Sequence, residues 1–236
     1  MRKILWLALL AIPVIILLTL PARVVLPWMD VPEGLSQVQG TVWSGRAQWR
    51  QPGQSPIRLE WRWRGGRNWR WQAEGVDTRL EGGWRPVSSG LSLTDIEGRM
   101  GLDRVDLAYW LINARPRGYL DVALERAQVV AGQVPDIAGR VIWREARLEG
   151  AVHESLGEIG LNLVHENGAQ IIRVESLRSA SVQVHGRIDL DAERYQVDLW
   201  LRASSDRPDL VSQLSRMGEL QPDGQVRMQL RGMLGW

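Results

Sequence analysis

The sequence predicts a mainly β protein, in which an N-terminal transmembrane helix leads into an antiparallel rolled or stacked β-sheet body of two related halves with two short helices. Three observations predict it. Residues 4–22 (ILWLALLAIPVIILLTLPA) carry no charge and no polar group beyond Thr19. Downstream, apolar and polar residues alternate with period two in short runs, the mark of half-buried strands. Turn residues punctuate those runs at regular spacing, which implies an antiparallel meander and argues against β-α-β units.

Taken in order, residues 1–3 form a cytoplasmic N-terminus. Residues 4–22, at about 1.5 Å per residue, reach across a ~30 Å hydrocarbon core. Arg2 and Lys3 precede the span, so the positive-inside tendency keeps the N-terminus in the cytoplasm and sends the body to the other side. A cleaved signal peptide is the rival reading, but it would have a shorter apolar core and a small residue where Leu20 stands. Pro21, Pro27 and Pro32 make 23–33 an extended linker, and a β-rich periplasmic body fills 34–236. Its clearest strand is 57–64, with Leu59, Trp61 and Trp63 on one face and Arg58, Glu60, Arg62 and Arg64 on the other. Gly65, Gly66, Arg67 and Asn68 supply a hairpin turn before Trp69 and Trp71 resume the alternation. Further strands are expected at 90–93, 98–102, 118–124, 140–149, 157–164, 170–174, 182–190, 196–202 and 225–231.

Internal echoes suggest the two halves. An apolar-x-Gly-Arg-apolar pattern occurs at 96–100, 137–141 and 184–188. A longer unit begins at Asp106-Leu107 with Leu111 and again at Asp209-Leu210 with Leu214. Each predicts a helix of about ten residues, a Pro-x-Gly turn (Pro116 to Gly118, Pro222 to Gly224) and an alternating strand. The boundary between halves would fall near 130–136.

Composition restricts the chemistry. There are no cysteines, so disulfides, thiolate metal sites and thiol nucleophiles are excluded. Lys3 is the only lysine, and His153, His165 and His185 lack the spacing of a joint metal site. Asp189, Asp191 and Glu193 fit a solvated hairpin end, and no serine lies in a nucleophile elbow. The residues therefore predict no catalytic group, cofactor or metal. Residues 46–74 hold Arg46, Arg50, Arg58, Arg62, Arg64, Arg67 and Arg70 against Glu60 and Glu74. A nucleic-acid surface is at odds with the expected compartment. Either this is a solvated strand face with its tryptophans packed inward, or Arg58, Arg62, Arg64, Arg67 and Arg70 form a patch for a partner protein or anionic lipid headgroups.

Three further pieces stand out: Leu20-Pro21-Ala22-Arg23-Val24-Val25 at the exit of the apolar segment; Gly40-Thr41-Val42-Trp43 with Gly45 and Ala47; and Gly139-Arg140-Val141-Ile142-Trp143 with Ala146. Together they resemble the protein N component of the bacterial type II secretion system. Physically, Gly40 and Gly45 would bracket a strand on which Trp43 packs inward, with Ala47 allowing close backbone approach, so Gly40, Thr41, Val42, Trp43, Gly45, Ala47, Gly139 and Trp143 are first folding elements. The resemblance implies a non-enzymatic accessory subunit in the inner membrane, with the outer-membrane secretin and inner-membrane platform proteins as partners. The alternative from the residues is an anchored periplasmic β-groove protein that handles envelope lipids.

Overall fold

The computed structural model describes residues 19–25, 34–50, 54–87, 90–102, 114–130, 132–150 and 154–233. The chain is mainly β and divides into two compact units, residues 1–84 and 85–236. The expected anchor, apart from residues 19–22, and the expected helix near 106–111 lie outside the described residues. Among the described residues no helix is long and apolar enough to cross a membrane.

The first unit opens on a single helical turn, α1 (Ala22–Val25), at the head of the stretch expected to be extended. Five strands follow: β1 (Leu35–Gly40), β2 (Ser44–Trp49), β3 (Ile57–Gly65), β4 (Asn68–Glu74) and β5 (Thr78–Val87), the last reaching the end of the unit at Trp84. Each pairs antiparallel with the next. The predicted division of β3 holds: Ile57 is buried and Leu59 and Trp61 half-buried, whereas Arg58, Glu60, Arg62 and Arg64 are exposed. Trp63 departs from it, with 40% of its surface exposed at the turn end of the β3–β4 hairpin. Across the strands Ala47, Leu59 and Ala73 lie side by side, and Ala47 and Ala73 are buried. These small residues leave room for the indole rings that follow.

The second unit runs through β6 (Gly90–Gly101), β7 (Ala114–Val130), β8 (Asp136–Gly150), β9 (Glu154–Glu166), β10 (Ala169–Arg178), β11 (Val182–Leu190) and β12 (Arg194–Ala203). Helix α2 (Asp209–Leu214), the two-residue β13 (Glu219–Leu220) and β14 (Val226–Met233) complete it. Strands β6 to β12 pair in chain order, and β14 then pairs with β12, leaving β13 outermost. The meander predicted from period-two alternation is present. Strands run longer than expected because turn-like residues are carried through: Asp95, with φ 49°, joins 90–93 and 98–102 into β6. The boundary expected at 130–136 falls where β7 gives way to β8, with Gln133 N donating to Val130 O at 3.1 Å.

The two echoes have different physical bases. In the short one, Gly98, Gly139 and Gly186 have φ of 135°, 139° and 150° inside strands. A Cβ at Gly139 would lie 2.5 Å from Ala123 O and one at Gly186 2.2 Å from Asp198 O, so glycine permits the neighbouring strand to approach. The longer echo is corrected. Pro222 and Gly224 form a turn, with Gly224 N donating to Gln221 O at 3.0 Å, but Pro116 and Gly118 lie inside β7. There Pro116 sits beyond the end of β6, which stops at Gly101 opposite Tyr119, so among the described residues no strand pairs with that side of β7, and a missing N–H is tolerated.

Helix α2 is six residues long instead of ten and buries Leu210 and Leu214. They pack on Leu156, Ile159, Val174, Val182, Val184, Leu201 and Val226, one contiguous core in which Val184, Leu201 and Val226 are cross-strand neighbours. Outside this core, arginine and carboxylate side chains alternate across the strands. Asp121 accepts from Arg99 at 2.7 Å and from Arg144, and Arg144 also reaches Glu158 at 3.2 Å. Asp198 receives both ends of Arg227, and Arg207 bridges Asp209 and Glu154.

Three of these carboxylates make stability depend on acid. Burial raises Asp121, but the Arg99 and Arg144 hydrogen bonds outweigh it and hold the group below the ordinary carboxylate value. Asp198 is lowered by its hydrogen bond from Arg227, and Asp209 by that from Arg207. A folded-state value below the unfolded one contributes stability that is present above the unfolded pKa and lost as pH falls through the folded one. The urea midpoint of the second unit should therefore fall as pH drops below about 4, and Asp198→Asn should flatten that slope. The pairs are solvent-accessible, so each effect is modest.

Candidate functional site

The signature piece at 40–47 meets the exit of the apolar segment at one tight turn. Residues 41–43 join β1 to β2, so Gly40 and Gly45 bracket a hairpin turn and not the strand expected there. Thr41 N donates to Ser44 O at 2.9 Å, and the Thr41 hydroxyl accepts from the backbone N–H groups of Trp43 and Ser44, both at 3.2 Å. This Ser/Thr-turn chemistry explains the threonine. A Cβ at Gly40, whose φ is 92°, would lie 2.5 Å from Ser44 O, and one at Gly45 would lie 2.4 Å from the Trp61 ring.

Tryptophans hold the turn from the side of β3 and β4. The Trp61 indole donates to Thr41 O and the Trp69 indole to Val42 O, both at 3.1 Å, and Trp63 N donates to Trp43 O at 2.6 Å. The Trp43 ring meets Trp63 edge-on at 5.2 Å and stacks on Trp69 at 6.3 Å, and Trp69 stacks on Trp84 at 4.7 Å. The remaining backbone donor, Val42 N, bonds Leu20 O at 3.1 Å, and Pro21 forms an antiparallel bridge with Thr41. All the backbone N–H and C=O groups of residues 41–43 are thus used, and one of them grips the chain as it leaves the apolar segment.

Thr41→Val keeps the shape and removes the accepting oxygen. It should cost about 1–3 kcal/mol by orphaning two N–H groups, and Thr41→Ser should recover most of it, as read from urea midpoints.

The arginines named from the sequence share the opposite face of the same hairpins. Arg58, Arg62 and Arg64 lie on β3, Arg67 in the β3–β4 turn and Arg70 on β4, all exposed. Arg62 and Arg70 are direct cross-strand neighbours. Arg70 reaches Glu81 at 3.7 Å, whereas among the described residues no carboxylate forms an ion pair with Arg58, Arg62 or Arg64, although Glu74 is the cross-strand neighbour of Arg58. Gly139 and Trp143 belong to the second unit, both on β8. The Trp143 indole donates to Arg117 O at 2.8 Å, where the β7–β8 register shifts, so it caps an irregularity in the sheet. Among the described residues no three His, Asp or Glu side chains gather as a metal site.

Sequence reading missed the contact between Leu20-Pro21 and the turn, although both pieces were singled out. The alternation of Trp61, Trp69 and Trp71 was legible, but their indole donors as clasps on the turn were not. The sequence model of the family described as "Type II secretion system (T2SS), protein N" matches residues 33–230. Neither a curated protein nor a solved structure matches the chain.

Proposed function

We propose, from the premise that the chain belongs to the type II secretion system protein N family, that it is a non-enzymatic accessory subunit anchored once in the inner membrane. Family membership ties it to type II secretion, to the cell envelope and to other components of that machinery. In the finer reading residues 4–22 span the membrane, the N-terminus is cytoplasmic and the β body lies in the periplasm. The carrying observation is that the family match covers strands of both units, from before β1 into β14. The bond from Val42 to Leu20 supports a positional mechanism, because it ties the first unit to the segment leaving the membrane. The body would present its strand edges to the outer-membrane secretin or the inner-membrane platform subunits, which it helps to hold in place.

Crosslinking and affinity capture of the tagged full chain from native membranes test this. Recovery of secretin or platform subunits supports the reading. Recovery of envelope lipid without any secretion subunit overturns it in favour of a lipid-handling β groove. A reporter fused after Trp236 should be active on the periplasmic side, and activity confined to the cytoplasm overturns the topology.

A further inference from the structure

We infer that the end of the first unit bearing the 41–43 and 65–68 turns is a seat on the membrane surface, where its arginines take acidic phospholipid headgroups and Trp63 enters the interface. The inference rests on the anchored reading above.

Strand register places both turns at one end. Ser44 pairs with Arg62 and Gly65 with Asn68, so the β1–β2 and β3–β4 turns are neighbours, and Leu20-Pro21 is bonded to the first of them. An apolar run of membrane-spanning length ends at that contact. The seat is therefore held within a few residues of the point where the chain would leave the bilayer. The opposite end, the turn at Gly75–Asp77 closed by Gly75 N donating to Thr78 O, lies about 20 Å away along β4.

The chemistry of this end fits a lipid interface. Trp63 is 40% exposed there, next to the stacked indoles of its neighbours, and tryptophan favours the headgroup level because its ring is apolar and its N–H polar. On the other face Arg62 and Arg70 stand directly opposite each other, an arrangement that is unfavourable without a counter-charge. Glu81 is shared between Arg70 and Gln72, and among the described residues no carboxylate forms an ion pair with Arg62 or Arg64. Phosphate groups of acidic lipids would neutralise them, and a basic segment beside a membrane span is drawn to such a surface. A protein partner would use the same arginines, but it would not account for the chain exit being fixed to this end.

The chain has no cysteine, so single cysteines can carry a fluorophore without background labelling. The full chain is reconstituted in phosphatidylcholine vesicles, with and without phosphatidylglycerol, that contain a headgroup-nitroxide lipid. Labels are placed by Asn68→Cys at the proposed seat, by Val76→Cys at the far turn and by Ala11→Cys in the apolar segment. Lipid quenching should be strong at position 68, weak at 76, and deeper at 68 when phosphatidylglycerol is present. Each arginine near an anionic surface is worth about a five-fold change in occupancy, so Arg62→Gln with Arg64→Gln should reduce the phosphatidylglycerol-dependent quenching by about five-fold or more. An unchanged urea midpoint confirms that this exposed-face variant folds. If position 11 is protected from a chain-centred nitroxide lipid, the anchored reading itself fails. If position 11 is quenched and position 68 no more than position 76, the anchor stands and the seat is overturned, leaving the arginines to a protein partner. Quenching at 68 that ignores both phosphatidylglycerol and the arginine replacements overturns headgroup recognition.

Discussion

Gly40→Val should cost the first unit about 3–5 kcal/mol, enough to deplete its folded form, by combining backbone strain with overpacking. Its φ of 92° lies where a β-branched residue is strained, and the added Cβ would meet Ser44 O at 2.5 Å and Gly45 Cα at 2.7 Å. Those atoms are backbone in the turn that Thr41, Trp61 and Trp69 hold, so they have little freedom to yield. Gly66→Ala is the control. Gly66 also has a positive φ, 58°, but a Cβ there meets nothing within 4 Å, so only the conformational cost of about 1 kcal/mol is expected. Urea unfolding of the detergent-solubilised full chain, read through tryptophan emission, compares the two. Equal costs would mean that the turn is not the rigid socket its hydrogen bonds imply. Loss of the socket should also release Leu20-Pro21, visible as faster amide exchange at Val42.

The meander and the two faces of β3 were legible because alternation survives where one face is buried and the other wet. Val182–Leu190 ends where the pattern ends. β5 was not legible: Gly82 and Gly83 interrupt its pattern, yet they are the cross-strand partners of Trp71 and Arg70, where a small residue leaves space for the indole. The 41–43 turn was not legible because Thr, Val and Trp all favour strands and several bonds that hold the turn come from Leu20, Trp61 and Trp69, far away in sequence. Composition carried a further clue. The chain has 13 Trp and no Phe. Trp61, Trp63, Trp69, Trp71 and Trp143 each donate an indole N–H to a backbone carbonyl, a bond that a phenyl ring could not make. The tryptophan excess therefore supplies side-chain donors to turns and irregular strand pairs, as well as bulk to a core.

Gln170→Leu is expected to destabilise the second unit by about 3–5 kcal/mol, since each of three carbonyl or N–H groups left unpaired in the interior costs about 1–3 kcal/mol before relaxation. Gln170 is 1% exposed on β10 and could not be assigned a role from its run of apolar neighbours. Its amide works as a substitute for a strand. The register of β8 with β9 ends at Gly139, so Ile137 continues past its neighbour, paired to β7 alone through Ala127. There the Gln170 carbonyl accepts from Ile137 N at 2.7 Å, while its NH2 donates to Ile137 O and Val164 O, both at 3.0 Å. Leucine fills the space but offers neither donor nor acceptor. Gln170→Glu separates volume from hydrogen bonding: at neutral pH it buries a charge and repels both carbonyls, and at acid pH the protonated acid can restore one donor. The leucine variant should lower the urea midpoint and expose the Ile137 amide to exchange ahead of Val141. The glutamate variant should recover part of its deficit, relative to the parent chain at the same pH, as the solution is acidified. If Ile137 exchanges no faster in the leucine variant, β8 is held there by its pairing to β7 and the clasp contributes little.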